Sequence, residues 1–208
     1  MASKTAERRA LVERMRAEQT RKERRSRLAV IGAVTAVVAL VASGVVWAVL
    51  RAPNSGSQKT GEAAIAGLRT FTGLSRNHVP GAVSYAQTPP VGGEHSAVWQ
   101  NCGWYDQPVA NETAVHSLEH SAVWVTYRPD LSSADRAQLK SELTGKAYVL
   151  ASAFPGLPGP VVASAWGQQV VLDGVSDPRL MTFVSAFADS PAAPEPGGEC
   201  SGGTGTLS

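Results

Sequence analysis

VHSLEHSAVWVTYRPD, Val115 to Asp130, is the stretch on which the reading of this 208-residue chain turns. Its second half, Ser121 to Tyr127, carries no charge and is rich in β-branched and aromatic residues, the pattern of a buried strand. Its first half places His116 and His120 four residues apart, with Glu119 beside the second. On a helix, residues four apart stack on one face and can share a metal ion. On a strand they would face the same side but lie roughly 13 Å apart, too far for one ion. The strand is under way by Ala122, so a single helical turn or a tight loop precedes it. Two of the chain's four histidines sit in this pentapeptide, and any chemistry is expected to centre here.

Towards the C-terminus the period becomes helical. Ser132 with Asp135 forms a weak capping box, Leu139 and Leu143 share a face, and Gly145 is a stop. Tyr148 to Ala153 reads as a strand. Val161 to Trp166 and Gln169 to Leu172 read as a hairpin around Gly167. Asp177-Pro178 opens a last helix whose apolar face is Leu180, Phe183, Val184 and Phe187. Towards the N-terminus, Ala97 to Tyr105 is aromatic and strand-like, Gln87 to Gly93 is a loop by its Pro and Gly density, and Val79 to Tyr85 is an interrupted strand. The expectation is an α+β domain over residues 62–190, a small mixed or antiparallel sheet with two packed helices. Residues 191–208 read as a flexible Pro/Gly-rich tail.

Further upstream, Leu28 to Leu50 runs for 23 residues without a charge, between Arg27 and Arg51. At 1.5 Å per residue this spans a hydrocarbon core of roughly 30 Å. The predicted organisation is a basic cytoplasmic segment (1–27), one transmembrane helix (28–50), a small polar linker (51–61) and the outer domain. A cleaved signal peptide has a shorter apolar region and a small-residue cleavage site, and Ala48-Val49-Leu50-Arg51 is a poor one. Residues 1–27 hold ten Lys/Arg against four Glu, whereas residues 52–208 hold eight Lys/Arg against thirteen Asp/Glu. The positive-inside rule then predicts a single-pass cell-membrane protein with its N-terminus cytoplasmic and its C-terminal domain outside. The same asymmetry means that the basic pI describes neither half, so no nucleic-acid partner is implied. The lipid bilayer is the expected partner, with a membrane protein as a further possibility.

Cys102 and Cys200 are the only cysteines, with no CxxC pair, which excludes a zinc ribbon. Outside the cytoplasm the two are expected to oxidise together and draw the tail onto the sheet region. His78, His95, His116 and His120 all fall at loop-to-strand junctions. Converging, with Glu119 or Met181 in support, they would suit zinc or copper, and Met sulfur would tilt the choice to copper. Separately, each would satisfy hydrogen bonds at a strand end. HSLEH also fits the inverted zinc-protease pattern H-x-x-E-H with Glu119 as general base, but that motif belongs in a long helix and needs a third ligand downstream. No G-x-S-x-G elbow, P-loop or Rossmann fingerprint is present.

Several motifs occur in a recognisable order: His78-Val79, a Pro-Pro-x-Gly-Gly-x-His run ending at His95, WQNCGWYDQPV, VHSLEH, LPGPVVASAWG, and Pro-Glu-Pro-Gly-Gly-x-Cys ending at Cys200. Over about His78 to Cys200 the chain resembles the bacterial membrane-anchored family known as domain of unknown function 3105. The resemblance implies an extracytoplasmic protein of unassigned activity whose recurring histidines match His78, His95, His116 and His120. Ser121 departs from it, since relatives usually have glycine there. Three functions are compatible with the sequence: a protein that binds, buffers or delivers copper or zinc through a histidine cluster; an accessory or interaction subunit of a membrane complex without metal; and a metal-dependent hydrolase using Glu119. The chain leans away from being an enzyme.

Overall fold

Valine, isoleucine-like branching and aromatics dominate the segments that form strands, and polar residues break them where the chain turns. The computed structural model describes residues 65–208. The predicted segments 1–27, 28–50 and 51–61 lie outside the described residues. Among the described residues, no helix is long and apolar enough to cross a membrane.

The element order is β1 (Arg69–Thr70), β2 (Gly103–Tyr105), α1 (Asn111–Glu119), β3 (Val123–Tyr127), α2 (Ser133–Leu143), β4 (Val149–Ala153), β5 (Val161–Ala165), β6 (Gln168–Leu172) and α3 (Arg179–Phe187). All six strands form one mixed sheet in the order β1-β6-β5-β3-β4-β2. β3 is central, parallel to β4 and antiparallel to β5. Parallel neighbours need a crossover, and α2 supplies it between β3 and β4. β5 and β6 make the antiparallel hairpin expected around Gly167, with Val161 opposite Leu172 and Ser164 opposite Gln169.

β3 is buried along its whole length, as a strand covered on both faces must be. Alternate residues serve different neighbours. Val123, Val125 and Tyr127 join Leu139 and Leu143 of α2 and Phe183 and Phe187 of α3 in the main apolar core. Trp124 points the other way and packs with Leu150, Tyr105, and Ala114 and Leu118 of α1.

The caps agree with the sequence in part. The Ser132 hydroxyl accepts the Asp135 N–H at 3.0 Å. The Asp177 carboxylate accepts the backbone N–H of Arg179 at 3.0 Å, although α3 begins one residue later than Pro178. The Arg179 guanidinium beside it holds the Asp177 carboxyl well below the usual carboxylate range.

Three expectations need correction. The sheet carries three helices rather than two, because the HSLEH segment closes a full helix, α1. The aromatic run Ala97 to Tyr105 yields only the three residues of β2; before it the chain follows α1 instead, with the Gln100 N–H on Thr113 O and Ser117 Oγ. The third concerns residues 191–208. They contain no helix or strand, yet they are strapped across the domain. Glu195 N–H binds Glu119 O, Cys102 N–H binds Cys200 O, and Ser208 N–H binds Trp104 O, at 3.0, 2.7 and 3.0 Å. The predicted Cys102–Cys200 disulfide closes this strap, with Cα atoms 5.3 Å apart.

Candidate metal centre

α1 is nine residues long, and Ala114 to Glu119 are all buried. His120 ends it, its N–H on the His116 carbonyl at 3.2 Å. Ser121 follows with φ 77°, a left-handed conformation that terminates the helix and that glycine adopts at no steric cost. This is the physical reason a glycine suits the position. The helix, rather than an extended segment, therefore sets the spacing of His116 and His120. Their Nε2 atoms are 2.9 Å apart.

His78 and His95 arrive together. They form a parallel β-bridge in which Val79 N–H binds His95 O at 2.8 Å and His95 N–H binds Asn77 O at 3.1 Å. The His78 ring stacks on His116, centroids 4.8 Å apart, and meets His95 edge-on at the same distance. The structure thus brings all four sequence-predicted histidines into one cluster. Trp166 lies edge-on to His95, and Trp99 flanks both His116 and His120. These indoles pack against His95, His116 and His120, whereas His78 is exposed.

The tautomers follow from the partners. His95 Nδ1 is 2.7 Å from Gly93 O, His116 Nδ1 2.7 Å from Ser96 O, and His120 Nδ1 2.7 Å from Glu199 O. A backbone carbonyl only accepts, so each Nδ1 carries a hydrogen and donates it. In the neutral ring each Nε2 then presents a lone pair. Those three lone pairs point inward, and they meet other acceptors. His116 Nε2 faces His120 Nε2. His95 Nε2 faces Glu119 Oε2 at 2.8 Å, with side-chain exposures of 0% and 2%. Neither of these last two buried atoms has a hydrogen-bond partner. Opposed acceptors at such distances are reconciled by a proton or a metal cation between them.

A proton is disfavoured at His116. Burial, against the opposing pull of the Ser96 carbonyl, pushes the ring down from its ordinary 6.5 to about 4, and neighbouring His120, His95 and His78 add to the effect. The cluster could instead hold a metal cation. Imidazoles that donate Nδ1–H to a backbone carbonyl and offer Nε2 inward are the usual dress of metal-bound histidines. Tetrahedral ligands held about 2.0–2.1 Å from zinc sit roughly 3.3 Å apart. Two triads could hold an ion, His78/His95/His116 and His116/His120/Glu195, the ligand atoms of each lying within 4.8 Å of one another. Glu119 Oε2 is 3.8 Å from His78 Nε2 as well as close to His95, which places its carboxylate beside the first triad.

Two sequence readings change here. Met181 packs against the main apolar core on the opposite side of the sheet, so its sulfur supports no copper preference. Glu119 lies among the donor atoms of a short helix rather than in the long helix of an inverted zinc protease. Sequence reasoning missed Glu195 and the carbonyls of Gly93, Ser96 and Glu199. Glu195 sits in a Pro/Gly-rich segment with no periodicity to report its direction, and carbonyl orientation leaves no mark in a sequence.

The fold and site together define an α+β domain built around a buried histidine cluster. The chain belongs to the family described as protein of unknown function (DUF3105), whose model matches residues 78–202. That span starts at the first histidine of the cluster and encloses all four, Glu119, Glu195 and both cysteines. A second family model, described as an inhibitor of host cell division protein domain, matches residues 6–56. No curated protein and no solved structure matches the chain.

Proposed function

We propose that this protein binds a single divalent ion, zinc or copper(II), within the cluster of His78, His95, His116 and His120 with Glu119 beside it, and serves to hold or deliver that ion rather than to catalyse a reaction. The observation that carries the reading is the set of inward Nε2 lone pairs, three of them locked by carbonyls, facing other acceptors at 2.8 and 2.9 Å. Imidazole with carboxylate suits zinc and copper(II), and without thiolate or thioether the set favours them over copper(I).

The proposed setting is the outer face of the cell membrane. The 23 uncharged residues of Leu28 to Leu50 and the basic flank before them support it, as does a disulfide, which persists in oxidising compartments. A cysteine introduced at Ser57 is expected to react with an impermeant thiol probe in intact cells, and one at Ser3 is not; the reverse pattern would invert the topology.

The metal reading is tested on the full chain in detergent. After reloading with zinc or copper, mass spectrometry is expected to find one ion per wild-type chain and much less than one in His116→Ala. Sub-stoichiometric metal in the wild type under both loadings would remove the proposal.

A further inference from the structure

The two triads share His116, and its Nδ1 is committed to Ser96 O. Only one His116 nitrogen is therefore available, and one lone pair cannot hold two ions. The triads also differ in access. The first contains His95, wholly buried, with buried Glu119 beside it. The second ends at Glu195, whose side chain is 57% exposed and lies 3.6 Å from His120 Nε2. Glu195 is not a loose surface group, because its backbone N–H binds Glu119 O at 3.0 Å, seating it beside the last turn of α1. Its carboxylate stands at the solvent edge of the cluster.

We infer that His116, His120 and Glu195 form a receiving site for the divalent ion, which then passes to His78, His95 and His116. This rests on the metal reading above and adds its route. An arriving hydrated cation meets the exposed carboxylate first, loses water to His120 and His116 Nε2, and then exchanges Glu195 and His120 for His95 and His78. His116 stays bound throughout. No proton moves at the three carbonyl-tied rings, since their Nε2 atoms already present lone pairs. Release follows the same path in reverse.

A competing door exists. A cleft of about 550 Å³ opens beside His78, lined by Val79, Ser96, Val98 and Glu112. His78 is itself 43% exposed there. Glu112 also lines this cleft, with one carboxylate oxygen accepting the Val83 N–H, but it belongs to neither triad. The free carboxylate at the outer triad favours the Glu195 side for a cation.

The test is stopped-flow uptake of cobalt(II), followed by its visible absorption, on the full chain in detergent, with Glu195→Gln and with Glu112→Gln as the variant at the other door. Wild type is expected to take up one cobalt per chain. Glu195→Gln is expected to keep that stoichiometry and nearly the same affinity, with uptake and release both slowed about tenfold, the low end of what a focusing charge gives. Glu112→Gln is expected to leave the rates unchanged. Two ions per chain, or an unchanged uptake rate in Glu195→Gln, would overturn the relay while leaving the metal reading intact. Slower uptake only in Glu112→Gln would move the entrance to the His78 cleft and likewise overturn it. No uptake by wild type would remove both proposals. Because Glu195 is exposed and its fold contact is through the backbone, Glu195→Gln is expected to fold, and Glu195→Asp restores the charge as the control.

Discussion

The two faces of the sheet are built from the same strands and could hardly be more different. On one, Val123, Val125, Val149, Ala151, Val161 and Ala163 meet α2 and α3 through apolar atoms alone. On the other, the alternate residues include Thr126, Ser152, Ser164 and Gln169, all buried. Each has found a partner: Ser152 Oγ accepts from Trp124 Nε1 at 3.0 Å, Thr126 donates to Val162 O at 3.1 Å, and Gln169 donates to Ser164 Oγ and Pro89 O. Over this polar face lie α1, the loops carrying His78 and His95, and the C-terminal strap. The lesson is a division of labour. One face gains its free energy from apolar burial, which is non-directional. The other adds, to the apolar packing around Trp124, directional bonds that orient side chains, and orientation is what a metal centre requires.

The comparison can be broken most forcefully from the apolar side. Phe183 is wholly buried in the main core, its ring tilted against that of Phe187. Phe183→Ala is expected to cost about 3–5 kcal/mol of stability, read by chemical denaturation, while the folded fraction keeps its metal affinity. Equal loss of both would mean that the faces are not separable.

Acid attacks the other face. Since the folded-state pKa of His116 lies below its ordinary 6.5, between that value and about 4 the unfolded chain takes up a proton that the fold excludes. Stability of the metal-free protein is therefore full above pH 6.5 and falls as pH is lowered towards 4. Thermal melts across this window check it, and bound metal should be released over the same descent because protons compete for Nε2. A flat melting temperature between pH 7 and 4.5 would contradict the desolvated ring.

Gly198→Ala sharpens the role of the strap. A Cβ at Gly198 would stand 2.5 Å from Cγ of His120, so the ring must shift. Metal affinity is expected to fall about tenfold, as for loss of a supporting contact around a ligand, along with some loss of stability, because the clash reaches Cβ and Cγ of the buried His120. Isothermal titration against denaturation midpoints separates the two.

The smallest effect is expected at Ser121. Relief of its left-handed strain by Ser121→Gly is worth about 1 kcal/mol. Loss of its 3.0 Å bond to Ser190 O costs about the same. The net change in unfolding free energy should lie within about 1 kcal/mol of zero, and a larger shift would show that one of the two terms dominates.

Much of this was legible residue by residue. Strands β3 to β6 and helices α2 and α3 could be placed from hydrophobic period, capping residues and turn glycines, because those signals act over a few neighbouring residues. The pairing of Cys102 with Cys200 and the candidacy of all four histidines were also readable, the first because only two cysteines exist and the second because so few histidines do. α1 was half legible: its apolar positions are few, and Ser121 in a left-handed turn hides the boundary that a glycine would have announced.

What the sequence determined by itself is local: which segments coil, which extend, and which donor types are present. The convergence of His78, His95, His116 and His120, the burial of Glu119 among them, the strap that brings Glu195 and the Glu199 carbonyl to His120, and the exile of Met181 to the far side of the sheet were decided by tertiary structure alone. A ligand set is a distance relation between residues as far apart in the chain as His116 and Glu195, 79 positions (195 − 116), and only the packing of loops and strap onto one face of a sheet brings such distances down to a few ångströms.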